Sequence, residues 1–138
     1  MLRLEGEPIN HIDEQDIEKQ QMLGAFDIYQ IAATKSAIYP DKGWPGGLVY
    51  CALKLNGEAG ELAEHVGKAM RDDAFMVRET LTYERREAIV KEVGDVLWYL
   101  SAICNELGIK LNEAAVINLR KLADRQARGT QRGSGDDR

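Results

Sequence analysis

The sequence predicts an all-α, four-helix bundle-like fold, and three observations support this. Apolar and small residues recur at alternating spacings of four and three through Leu48, Ala52, Leu55, Ala59, Leu62, Val66 and Ala69, and again through Ile89, Val93, Val96, Leu100, Ile103 and Leu107. That rhythm marks a helix face turned towards a core. Residues 40–47, just ahead of the first such stretch, hold two prolines and three glycines and cannot continue a helix. The chain has 138 residues, 44% of them hydrophobic and 30% charged, which is enough for one globular domain with a core of its own.

Taken in order, residues 1–12, with Gly6 and Pro8, read as an irregular lead-in. Helical character begins near Asp13, and Asp13, Glu14 and Asp16 suit the positive end of a helix dipole. A stripe of Met22, Phe26, Tyr29 and Ala33 is expected to face the core, and the helix is expected to end before Pro40. Residues 40–47, Pro-Asp-Lys-Gly-Trp-Pro-Gly-Gly, are the clearest loop. Trp44 in its middle reads first as a plug packing the loop onto the bundle, and alternatively as a stacking surface near a nucleobase. A second helix is expected from Leu48 to Arg71 and a third from Tyr83 to Leu107, with Thr82 as a possible N-cap and Gly108 as the C′ residue. Residues 72–82 lose the periodicity and read as a connection with room for one helical turn. The fourth helix is expected to be capped by Asn112, with Glu113 in its first turn, and to run to Ala127 ahead of Gly129. Its stripe is Ala115, Leu119 and Leu122. The domain thus spans residues 1–128, and 129–138 form a flexible tail rich in glycine and charge.

The chemistry lies in two carboxylate pairs. Glu58 and Glu61 stand three residues apart, as do Glu92 and Asp95. On a helix, such pairs are neighbours about 5–6 Å apart, and like charges at that spacing repel. All four acids sit one residue before a stripe position: Ala59, Leu62, Val93 and Val96. If the two helices pack through their stripes, both pairs can face one cleft, and a hard divalent cation with oxygen ligands would relieve the repulsion. Gly60 and Gly94 beside them each cost a helix interior roughly 1 kcal/mol, which makes sense where a helix or ligand approaches closely. The alternative is two solvated acidic faces. Asn118, Lys121 and Arg125 share one face of the fourth helix and could meet phosphates bridged to the metal; an ordinary basic surface is the competing reading. Lys68 reads as a salt-bridging residue with a possible phosphate contact. His65, four residues after Glu61, reads as a polar neighbour and not as a ligand.

These residues together resemble a known family. Gly57-Glu58-Ala59-Gly60-Glu61-Leu62-Ala63-Glu64, followed by Glu92-Val93-Gly94-Asp95-Val96-Leu97-Trp98-Tyr99, resembles the MazG-type all-α nucleoside triphosphate pyrophosphohydrolases. The stretch Asn118-Leu119-Arg120-Lys121-Leu122-Ala123-Asp124-Arg125 is similar to the end of that family's domain. The likeness covers residues 25–128. It departs from the family's Glu-Glu-x-x-Glu motif at Gly57, and residues 62–91 separate the two motifs by a long gap that suggests an insertion.

The resemblance implies hydrolysis of a nucleoside triphosphate between its α and β phosphates, giving a monophosphate and pyrophosphate. It implies Mg²⁺, with Mn²⁺ a possible substitute, held by Glu58, Glu61, Glu92 and Asp95. Glu61 is a candidate to orient or deprotonate the attacking water, and Asn118, Lys121 and Arg125 to grip the triphosphate. It also implies a homodimer or homotetramer, and the small residues along the first stripe invite close packing between subunits.

Other readings are weaker. A di-iron bundle uses Glu-x-x-His pairs, and Glu61 and Glu92 are followed at the third position by Glu64 and Asp95. A non-catalytic nucleotide-binding oligomer, a sensor or partner-binding protein, stays open because of Gly57. A net charge of −5 argues against binding a nucleic-acid polymer. No apolar run is long enough for a membrane span, and no signal peptide is evident. Cys51 and Cys104, both within helical patterns, are expected to be buried free thiols in a reducing cytoplasm.

Overall fold

The computed structural model describes residues 12–130; most of the expected lead-in and nearly all of the tail lie outside that range. Among the described residues there are six helices and no strand: α1 Glu14–Leu23, α2 Ala25–Thr34, α3 Pro45–Asp72, α4 Phe75–Arg78, α5 Tyr83–Glu106 and α6 Leu111–Ala127. α3 and α5 form the central pair. α2 packs on α5 and α6, and α1 packs on α6. Cross-links at both ends show that α3 and α5 run antiparallel. Arg85 at the start of α5 meets Asp73 at the end of α3, and Glu106 at the end of α5 meets Gly43 just ahead of α3.

The first predicted helix is in fact two. Gly24 adopts a left-handed φ of +57°, a conformation glycine enters without steric cost, and it breaks the helix between α1 and α2. The break also corrects the expected stripe: Phe26, Tyr29 and Ala33 are partly buried, but Met22 is 86% exposed. After Thr34 the chain turns inwards, and Ala37 and Tyr39 enter a core with Cys51 and Ala102, flanked by Tyr50, Trp98, Tyr99 and Ile103. Tyr39 stacks on Tyr50 and meets Trp98 edge-on.

The 40–47 loop is closed from α5. Glu106 accepts hydrogen bonds from the Tyr39 hydroxyl and the Gly43 amide. A Cβ on Gly47 would stand 2.5 Å from the Asp41 carbonyl oxygen and 3.0 Å from Glu106 Oε2, so only glycine fits there. Pro45 occupies the first turn of α3, where its missing N–H goes unused.

The α5 start and the C-terminal ends match expectation. Thr82 caps α5 by accepting from the Arg85 amide at 3.2 Å. Gly108 and Gly129, both left-handed, end α5 and α6 in Schellman geometry, with Ile109 N–H donating to the Cys104 carbonyl and Thr130 N–H to that of Arg125. The start of α6 differs: Lys110, not Asn112, holds the N-cap position, and Asn112 is buried inside the first turn. The physical reason is a tertiary cap. Gln30 Oε1 accepts from the Leu111 amide at 2.7 Å, so α2 satisfies the first orphan donor of α6 and holds Leu111 as its first residue.

The seam between α3 and α5 is shifted from its expected register. Leu48, Leu55, Leu62 and Ala69 do face inwards, but Cys51, Glu58 and His65 alternate with them, while Ala52, Ala59 and Val66 are exposed. On α5 the inward line is Arg85, Ile89, Glu92, Val96, Tyr99, Ile103 and Glu106, and Val93 and Leu100 are exposed. Small apolar residues fit the helical rhythm equally well on either side of the acids, so hydropathy alone did not separate the two registers. Polar groups that find partners across the seam decide it.

Candidate active site

The register shift brings the acids into the seam instead of along its edge. Glu58 on α3 and Glu92 on α5 have side chains only 14% exposed. Together with Glu61 they offer carboxylate oxygens that all lie within 4.8 Å of one another. Three negative groups this close repel strongly in a partly desolvated site. Two nitrogens stand beside them, of which that of Lys54 is a cation. Lys54 Nζ lies 3.4 Å from Glu58 Oε1, and His65 Nε2 lies 3.7 Å from Glu92 Oε1. The Glu58 carboxylate, and after it the Tyr99 hydroxyl, hold the Lys54 ammonium above the ordinary lysine value. An oxygen-only donor set drawn from two helices suits a hard divalent cation such as Mg²⁺ or Mn²⁺, and the convergence of the three carboxylates fits such an ion.

Asp95 does not join this trio. It lies one turn further along α5 and is exposed. Tyr29 on α2 feels its charge: burial first, and the Asp95 carboxylate second, raise the Tyr29 hydroxyl above the usual phenol value.

The other candidates sit elsewhere. Lys68 is tied to Glu64 at 2.7 Å, the salt-bridging role expected of it. Trp44 is 73% exposed at the N-cap of α3, so it does not plug the loop onto the bundle. It is separated from Glu58 by about 21 Å of helix at 1.5 Å per residue. Asn118 is exposed, Lys121 is partly buried and Arg125 is only 6% exposed. Their helix packs on α1, α2 and α5, and among the described residues it does not pack on α3. Within one chain, therefore, α6 does not pack against the helix that carries Glu58 and Glu61. Among the described residues nothing approaches within 4 Å of the Cβ positions of Gly60 or Gly94, so none of them makes the close approach expected there.

Sequence reasoning passed over Lys54 and Arg85 and set His65 aside. The available signal was a heptad: Cys51, Glu58 and His65 repeat every seven residues beside Leu48, Leu55 and Leu62. Cys51 and Cys104 are buried free thiols, as expected.

An all-helical chain with carboxylates gathered between an antiparallel pair of helices defines a class that comparison with known proteins makes specific. The MazG nucleotide pyrophosphohydrolase domain matches residues 50–129. The chain belongs to that family. It is also 44% identical over 115 residues to the Gene 37 protein of Mycobacterium phage L5, an alignment covering 81% of this chain and 97% of the phage protein. No solved structure matches. Among the described residues, no helix is long and apolar enough to cross a membrane.

Proposed function

We propose that the protein is a Mg²⁺-dependent nucleoside triphosphate pyrophosphohydrolase, converting a (deoxy)nucleoside triphosphate and water to the monophosphate and pyrophosphate. The observation that carries this reading is the convergence of Glu58, Glu61 and Glu92 between α3 and α5 in a chain of the MazG family. Asp95 completes the proposed ligand set. When bound, the cation would neutralise phosphate charge and lower the pKa of a water in its shell.

The side chains supply the rest. Glu61, the exposed member of the trio, is the proposed acceptor of a proton from the attacking water. The water oxygen bonds to the α phosphorus as the bond to the α–β bridging oxygen breaks, and that oxygen leaves with pyrophosphate. Glu58 and Glu92, fixed in the seam, would hold the cation to which the reacting phosphates bind, a positioning contribution. Lys54, with its ammonium beside Glu58 and Tyr99, is placed to hold a phosphate oxygen. Asn118, Lys121 and Arg125 are to grip the triphosphate, as the family resemblance implies, and because α6 does not pack on α3 within the chain, the proposal brings α6 of a second copy against α3. Trp44 keeps a base-stacking role only in that same arrangement.

A homo-oligomer is part of the proposal. Val49, Leu53, Gly60, Ala63, Gly67 and Met70 line one exposed face of α3, and Val90, Val93 and Leu100 line one of α5. An apolar face of this extent marks an interaction surface, and its small residues would let helix backbones come close.

The test is an assay of each canonical NTP and dNTP with Mg²⁺ and with EDTA, with products resolved by ion-exchange chromatography. The proposal expects monophosphate and pyrophosphate, dependent on the metal. Diphosphate and orthophosphate would overturn the assigned bond. No turnover with any nucleotide would favour a non-catalytic nucleotide-binding oligomer.

A further inference from the structure

We propose that His65 is a positioning residue for the Glu92 carboxylate, held in the required tautomer by Arg85 and Asp73. The proposal rests on the metal-dependent reading above and deepens it. Four side chains from α3, its C-cap and α5 form one line. Arg85 Nε donates to Asp73 Oδ2 at 2.8 Å; Arg85 Nη1 faces His65 Nδ1 at 3.5 Å; His65 Nε2 faces Glu92 Oε1 at 3.7 Å. At 3.7 Å the last separation is longer than a hydrogen bond, and the proposed contact needs the two side chains to draw together.

The order of charges fixes the imidazole. A guanidinium has only donors, so the ring nitrogen opposite Arg85 presents its lone pair. The ring proton then sits on Nε2, facing Glu92. Arg85 is itself anchored twice, by Asp73 at its guanidinium and by Thr82 at its amide. The anchors lie at the two ends of the segment joining α3 to α5, so that connection is clamped to a carboxylate of the trio.

The seam makes a packing role the weaker explanation. His65 occupies an inward position in the same line as Leu55 and Leu62, where an aliphatic side chain would serve packing alone. Instead, a polar partner faces each ring nitrogen. Residues that orient metal ligands in this way typically change metal affinity by about 10–100-fold when removed.

The experiment measures Mn²⁺ binding to the full chain without nucleotide, from the electron paramagnetic resonance signal of the free ion. Helicity is followed by far-UV circular dichroism. The proteins are wild type, His65→Leu, His65→Asn, His65→Gln, Arg85→Met and the double variant His65→Leu/Arg85→Met. A glutamine amide reaches the place of Nε2, and an asparagine amide only that of Nδ1. The expected result is that His65→Leu and His65→Asn weaken Mn²⁺ binding by about tenfold with helicity kept, while His65→Gln restores most of the affinity. Arg85→Met should weaken it in the wild-type background and add nothing to His65→Leu, because the two act through one path. Wild-type affinity in a folded His65→Leu would overturn the proposal, as would His65→Gln binding no better than His65→Leu. If His65→Leu fails to fold, the contrast between asparagine and glutamine decides in the same way. Absence of Mn²⁺ binding by the wild type would instead sink the metal-dependent reading itself, so the two failures are distinguishable.

Discussion

Glu58 and Glu92 are set into a helix seam, where burying unpaired charge is costly. The ammonium of Lys54 beside Glu58 and the polar ring of His65 facing Glu92 make that placement tolerable. Glu61 and Asp95, more exposed, are the better probes of chemistry because replacing them disturbs packing least. Glu61→Gln and Asp95→Asn are each expected to keep the helical spectrum and lose turnover by on the order of a hundredfold, measured as pyrophosphate release. Near-full activity in Asp95→Asn would remove it from the ligand set, in line with its place outside the trio.

The buried acids of the core give a second prediction. Burial raises the thiols of Cys51 and Cys104 above the free value of 9.0, and burial with the Glu106 hydrogen bond raises the Tyr39 hydroxyl. In each case the fold favours the protonated group. The unfolded chain therefore releases its protons first as pH climbs, and the stability these groups contribute at neutral pH declines once pH passes about 9. Thermal midpoints measured from pH 7 to pH 10.5 should fall towards the alkaline end. Thiol-reactive dyes should label neither cysteine until the protein unfolds.

The acids were legible at this scale because two i,i+3 pairs recurred in matched phase. Their depth was not, because Ala59 and Val93 next to them carry the same hydropathic signal as a true core position.

For single elements, the best-predicted features were those with a local cause. Thr82, Gly108 and Gly129 act through their own backbone neighbourhood, and all three fell where sequence placed them. The features missed have distant causes. Asn112 lost the capping role because Gln30, 82 residues away in sequence, accepts from Leu111. Gln30 also donates to Asn105 Oδ1 at 2.8 Å and to the Ile109 carbonyl at 3.0 Å, and Asn105 donates to Thr34. One side chain thus ties α2 to the α5–α6 corner. Gln30→Leu leaves several of these groups without partners and is expected to destabilise the fold by about 2 kcal/mol, read as a lowered urea midpoint. A midpoint within error of wild type would mean that water replaces the lost partners.

Considered as a whole molecule, the chain leaves unburied much of what its periodicity marked as core. Ala52, Ala59 and Val66 on α3 and Val93 and Leu100 on α5 fit a core stripe and yet face outwards. Sequence periodicity registers that a face avoids water but not whether its cover is the same chain or another copy. Leu53, 70% exposed, lies on the proposed interface and outside the carboxylate trio. Leu53→Glu should shift the protein to a smaller species in light scattering coupled to size exclusion, with the helical spectrum retained. An unchanged mass would mean that this face is not where copies meet.

If copies meet through that outward apolar face, as proposed, the protein's working amount governs its behaviour. Where a folded state gains stability from a second copy, dilution alone loosens it by mass action. The melting temperature should then climb with protein concentration, and specific activity should fall away below a threshold instead of staying constant. A cell making few copies would hold a largely silent pool. Doubling expression near that threshold would more than double the yield of active sites.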